Sequence, residues 1–220
     1  MRCGCGCWRG GTGSLERINL HGTLLCKSDS AKLRDMVKTG FDPRAIVNLM
    51  IACANKRDIP LPNVSIQKLL YFAHGASLTR RDQPLIRGAF EAWEYGPVCR
   101  PIYDELKRHG RNPVTELITR VDPFTGEVSH IEPPSDQPVI DLVEDVVRSI
   151  GHLRPGHLIA LSHVENGAWH EVWNKAKTGA TIGNRIDDIL IKERFPLLKI
   201  SLTTQPFRED PDEATPYSGD

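Results

Sequence analysis

The densest group of side chains able to do chemistry lies in SHVENGAWHE, where His163, Glu165, His170 and Glu171 fall within nine residues. Imidazoles and carboxylates bind zinc-like metals, which activate water for hydrolysis. One reading is therefore a small metal-dependent hydrolase using His163, Glu165 and His170. The spacing H-x-E-x4-H is not the H-E-x-x-H pattern that puts two histidines on one helix face, and Asn166-Gly167 interrupts it. The competing reading is that these groups cap two helix ends and bond exposed backbone. It is the one adopted, with no catalytic residue, metal ligand or cofactor expected. Two further pairs, His74 with Ser77 and Cys99 with His109, lack a nucleophile elbow, and no phosphate loop accompanies them. His74, among apolar neighbours, reads as a satisfied structural histidine. Thr79-Arg80-Arg81 reads as a solvated helix end, where positive charge suits the helix dipole.

The aromatics offer recognition in place of catalysis. Trp169 and Trp173 are four residues apart, so on a helix they share a face, which reads as core. Trp93 falls on a strand opposite Phe90 and Ala92 and is expected to face outward. Tryptophan and tyrosine are enriched at binding hot spots. Trp93 and Tyr95, with the neighbouring charges Arg87 and Glu91, are the candidate partner-binding residues.

The elements that must position these residues can be traced from residue 41. Asp42 and Pro43 form a helix start, and Ile46, Leu49, Met50, Cys53 and Ala54 repeat on one face. After IPLPN, Ser65 is expected to cap a helix with Ile66, Leu69, Leu70, Ala73 and Ala76 inward, ended by Gly75 and RRDQP. From Ile86 to Trp93 the period becomes two, the mark of a strand with two faces. Gly96-Pro97 turns the chain into a short helix from about Arg100 to His109. Segments 116–121 and 127–131 flank DPFTG and read as a hairpin. Four helices follow: one with Val139, Val143, Val146, Val147 and Ile150 on one face, one over 156–163, GAWHEVWNKAK, and 184–194 with Ile186, Ile189 and Leu190 inward. The fold class is mainly α, or α+β, with about seven helices around a small antiparallel sheet or hairpin.

Composition bounds the class further. The chain is 40% hydrophobic and 25% charged, ordinary for a globular protein. Lysine plus arginine equals aspartate plus glutamate at 28 each, so the net basic footprint of a nucleic-acid binder is missing. A helix–turn–helix over 42–78 would also need a tighter turn than IPLPNVS provides. No apolar run approaches the roughly 20 residues that span a bilayer. Residues 1–40, rich in Gly, Cys and Arg, show no core periodicity; they read as a poorly ordered extension, with Met36 as an alternative translation start. The domain is placed at 41–202 and a polar tail at 203–220. Cys3, Cys5 and Cys7 lack paired metal-ligand spacing, and Cys53 falls on an apolar helix face. The cysteines are expected reduced, in the cytoplasm.

Three stretches together, IQKLLYFAHGASL (66–78), PLIRGAFEAWEYGPVCRPIYDELKRHG (84–110) and ALSHVENGAWHEVWNKAKTGATIGNRIDDILIKERF (160–195), resemble the Panacea (SocA-like) antitoxin family in order and spacing. The resemblance implies a prokaryotic or phage antitoxin, a non-enzymatic protein that neutralises a co-encoded toxin by forming a complex. It names no particular toxin and leaves homo-oligomerisation open. Ala168 precedes Trp169 where family members often have proline, and the N-terminal extension has no family counterpart.

Overall fold

The computed structural model describes residues 40–179, 184–200 and 202. The cysteines of the first 39 residues and the expected tail at 203–220 therefore lie outside the described residues. The chain divides between Asp35 and Met36, and every described element belongs to the second unit, Met36–Asp220. The described residues form seven α-helices and two small antiparallel sheets, so the fold is mainly α with a β component.

Helix α1 spans Pro43–Asn55. Its start is the expected one: the Asp42 carboxylate accepts from the Arg44 N–H at 2.9 Å and proline takes the first turn. The adjacent Arg44 guanidinium holds the Asp42 carboxyl below its ordinary range. Helix α2 spans Asn63–Arg81 and is central to the described domain, in contact with α1, with the strand Gly96–Val98 and with four of the five helices that follow. Every residue from Asn63 to Leu78 except Val64 is buried, so this helix has no solvent face over most of its length. Two expectations fail here. The helix begins two residues before Ser65, which is buried, and it runs through Gly75 to Arg81. Gly75 is small for packing, not for termination: a Cβ there would lie 2.1 Å from the Phe195 ring.

Strand β1 is shorter than the two-residue period suggested, spanning Phe90–Trp93. Gly88, at φ +112°, interrupts the alternation, and Ile86 instead makes an isolated parallel bridge to Phe41. Strand β2 (Gly96–Val98) pairs with β1 in the register Trp93↔Gly96 and Glu91↔Val98. Helix α3 spans Arg100–Leu106 and continues as a 3-10 turn to His109. Strands β3 (Arg120–Val121) and β4 (Val128–Ser129) make the separate hairpin expected around DPFTG. Helices α4 (Gln137–Ile150), α5 (Pro155–Ser162) and α6 (Ala168–Lys177) follow.

The last block departs from its periodicity. Residues Arg185–Ile186 form strand β5, which completes a three-stranded sheet in the order β2-β1-β5, and helix α7 begins only at Asp188 and ends at Arg194. Ile186 is buried by pairing with Phe90, whereas Ile189 is 57% exposed. The sheet claims the start of this segment, and the shorter helix then turns Ile189 outward.

Candidate functional site

The β1–β2 hairpin turns through two residues, Glu94 and Tyr95, with Gly96 at φ +95° completing the turn. Phe90 and Ala92 point into the core, while Glu91 and Trp93, on the other face, are half-buried. The Trp93 indole N–H donates to the Glu91 carboxylate at 2.8 Å, and its ring meets Tyr103 of α3 edge-on at 4.9 Å. The Trp93 carbonyl accepts from the indole N–H of Trp169 on α6, also at 2.8 Å. Trp93 is thus fixed at both backbone and ring, and Tyr95 beside it is 64% exposed. The structure brings Glu91, Trp93 and Tyr95 together. Arg87 stands apart, exposed on a groove of about 310 Å³ with Asp42, Arg120, His130 and Glu132.

Two hollows flank Trp93. The more open one, about 470 Å³, is lined by Glu91, Glu94, Arg100, Trp173 and Asn184. The more enclosed one, about 410 Å³, is lined by Val64, Gln67, Lys68, Tyr95, Val98 and Tyr103.

Lys68 is the unexpected member of this wall. It is 1% exposed, and its ammonium donates to the Pro97 carbonyl at 3.0 Å. Among the described residues it has no carboxylate partner. Burial alone pulls its pKa from 10.5 down to about 7. Its neighbour Gln67 accepts from the Cys99 N–H at 2.9 Å and donates to Asn63 at 3.3 Å. Through these two polar residues α2 holds both ends of the segment from Pro97 to Cys99. Gly96 makes the approach feasible, since a Cβ there would lie 2.6 Å from the Ser162 hydroxyl and 2.9 Å from the Lys68 ammonium. The apolar-face reading of IQKLLYFA passed over Gln67 and Lys68. The available signal was that polar residues inside a helix buried on all sides must themselves be buried.

The group of His163, Glu165, His170 and Glu171 does not assemble around one point. His163 ends α5, and its ring stacks on Trp169 at 3.6 Å between centroids, nearly parallel. Trp173 continues the stack at 5.7 Å from Trp169. Burial, then the charge of Lys68, hold the His163 pKa below its ordinary value. His170 accepts from the Asn166 N–H at 3.3 Å across the turn before α6, whose N-cap Gly167 has no side-chain cap, so the expected capping is not what this contact does. Glu165 is exposed, and Glu171 pairs with Lys175 and Arg194. Among the described residues no group of three or more His, Cys, Asp or Glu side chains could hold a metal ion.

The remaining candidates have structural surroundings. His74 is fully buried, with Nδ1 accepting from the Ile86 N–H at 3.4 Å and Nε2 facing the Asp188 carboxylate at 3.0 Å. That arrangement puts the proton on Nε2. Cys99 is buried, and burial pushes its thiol up to about 11, away from nucleophilic chemistry. Helix α2, which a helix–turn–helix would present to DNA, is enclosed by its neighbours. Among the described residues no helix is long and apolar enough to cross a membrane.

Comparison with known proteins gives the family of the chain. Residues 66–170 match the family model described as Antitoxin SocA-like, Panacea domain. The chain is similar to Antitoxin SocA of Caulobacter vibrioides (strain NA1000 / CB15N), with 36% identity over 177 residues, covering 80% of this chain and 94% of that one. No solved structure matches significantly. The match begins inside α2, takes in the β1–β2 hairpin and α3, and ends in α6, where Ala168 fills the first helical position that proline also suits. With 36% identity to that relative over 80% of its length, the chain belongs to the SocA-like antitoxin family with a Panacea domain.

Proposed function

We propose that this chain is the antitoxin of a toxin–antitoxin pair and neutralises a co-encoded toxin in the cytoplasm by binding it directly, without catalysis. The observation that carries the reading is the 36% identity to Antitoxin SocA across 94% of that protein. The geometry supports a binding face at the β1–β2 turn. Trp93 and Tyr95 project there between two hollows, held from behind by Trp169 and Tyr103 and rimmed by Glu91, Glu94 and Arg100. A rigid aromatic pair with a polar rim is the composition of a hot spot. Arg87, on its separate groove, is left out of this face.

The test is to express the adjacent reading frame alone and together with this chain. Alone it arrests growth; together they grow and co-purify. Trp93→Ala weakens the complex by about 2 kcal/mol, roughly thirtyfold in Kd, with the circular dichroism spectrum unchanged. A harmless neighbour that fails to co-purify rules the assignment out. If Trp93→Ala melts the domain, Trp93 is a core residue and the face is misplaced.

A further inference from the structure

The hollow beside Trp93 has a chemistry that its aromatic wall does not explain. An ammonium taken out of water is costly unless an anion or several acceptors replace its hydration. Lys68 has a carbonyl, one acceptor for three N–H groups, and no carboxylate among the described residues. The same wall contains Asn63 and Val64, the first turn of α2, whose preceding residue Pro62 offers no capping side chain. The amino end of a nineteen-residue helix carries partial positive charge and unbonded N–H groups. Two features of the same lining therefore favour negative charge, while Trp93, Tyr95, Tyr103 and Val98 supply apolar walls. The one opposing charge on the wall, Glu94, is exposed at the turn and screened by solvent. A volume of about 410 Å³ accommodates a side chain of any size.

We infer that this hollow receives a carboxylate of the bound partner protein, an acidic side chain or chain terminus next to an apolar residue, with Lys68 as its counter-ion. The inference rests on the antitoxin reading for the identity of the partner and adds the chemistry by which that partner is gripped. The carboxylate completes the shell of the Lys68 ammonium, and the neighbouring apolar group packs on Trp93 and Tyr103. Burial alone lowers the pKa of the free lysine to about 7, and an anion beside it raises the pKa again. The other titratable groups around it are His163 from the end of α5, Glu94 and Tyr95 in the turn, Cys99 after β2, Tyr103 on α3 and Tyr71 one turn along α2.

Two measurements separate this inference from the reading beneath it. The first uses the wild-type protein alone: the Lys68 Cε and Hε resonances are followed at about pH 6, where this lysine is protonated, while 3-phenylpropionate is added, with 3-phenylpropanamide as the uncharged control. The acid shifts those resonances saturably and the amide does not. No shift with the acid overturns the inference, whether or not a toxin binds. The second compares wild type and Lys68→Met against the co-expressed neighbour. Lys68→Met keeps or raises the melting temperature and weakens the complex at least tenfold. Unchanged toxin affinity, with 3-phenylpropionate still binding wild type, makes the hollow a small-carboxylate site and overturns the partner contact. If Lys68→Met does not fold, the wild-type titration with 3-phenylpropionate and the amide decides alone. A wild-type chain that binds the acid but no neighbour sinks the antitoxin reading and, with it, the assignment of the carboxylate to a toxin.

Discussion

A lysine buried to 1% exposure changes how stability responds to pH, and Lys68 does so in a defined window. In the unfolded chain it holds its proton to about pH 10.5, whereas in the fold its pKa is about 7. Between those values the unfolded state binds more protons, so stability rises with pH, and the contribution is lost as pH falls through about 7. Cys99 and Tyr71, both raised by burial, act in the opposite sense at higher pH, which restricts a clean comparison to about pH 7 to pH 8.5. Over that interval the melting temperature of wild type rises relative to that of Lys68→Met. Parallel curves for the two proteins would show that Lys68 does not titrate there. His163 contributes at the acid side: its lowered pKa means stability present above its ordinary value and lost as pH falls below it. Its half-buried ring, stacked on Trp169, adds only modestly, and solvent screens part of it.

At the scale of an element, α6 shows how helical spacing can be right while burial is unequal. Trp169 and Trp173 do share a face and stack, as four-residue spacing requires. Trp169 is 5% exposed and donates to the Trp93 carbonyl, but Trp173 is only half-buried and carries the Lys177 ammonium 5.0 Å above its ring. The expectation of two equivalent core tryptophans is corrected accordingly. Trp169 lies under both β1 and the His163 ring, while Trp173 borders the open hollow. Trp169→Ala should cost about 3–5 kcal/mol and release the β1–β2 turn, and Trp173→Ala should cost clearly less. Denaturant melts of both variants make the comparison, and equal losses would contradict the unequal burial. The same logic covers α2, where Gly75 reads as a terminator in the sequence but receives Phe195 in the fold.

For the whole molecule, the described core runs from Phe41 to Leu202 and closes around α2. The sequence of residues 1–35 carries no periodic apolar face that would add to it. A chain beginning at Met36 is therefore expected to melt within about 2 °C of full length, a small shift for a domain of this size, and to bind the same partner. Calorimetry of the two chains decides, and a large drop would mean that the first residues belong to the core. The balanced charge of the chain also bears on function at this scale. With 28 basic and 28 acidic residues the net charge supplies little long-range steering, and in the antitoxin reading proposed above affinity comes from local packing and from placed charges such as Lys68.

Local chemistry in the sequence decided much of this protein. Asp42-Pro43 fixed the start of α1, because a carboxylate and a pre-set φ act within one turn, and DPFTG fixed the β3–β4 hairpin for a similar reason. The alternation Phe90-Glu91-Ala92-Trp93 fixed which side of β1 faces the core and hence that Trp93 does not. Three stretches fixed the family. Tertiary structure alone decided the rest, because it depends on which distant segments meet. Residues 185–186 have a helical pattern and become a strand only because β1 has an open edge to pair with. His163 and His170 are near in sequence but take different partners, the Trp169 ring for one and the Asn166 N–H for the other. Lys68 looks like the polar side of an amphipathic helix. Enclosure of α2 by its neighbours, with Gly96 admitting the ammonium against the β1–β2 turn, makes it a buried cation beside an aromatic wall.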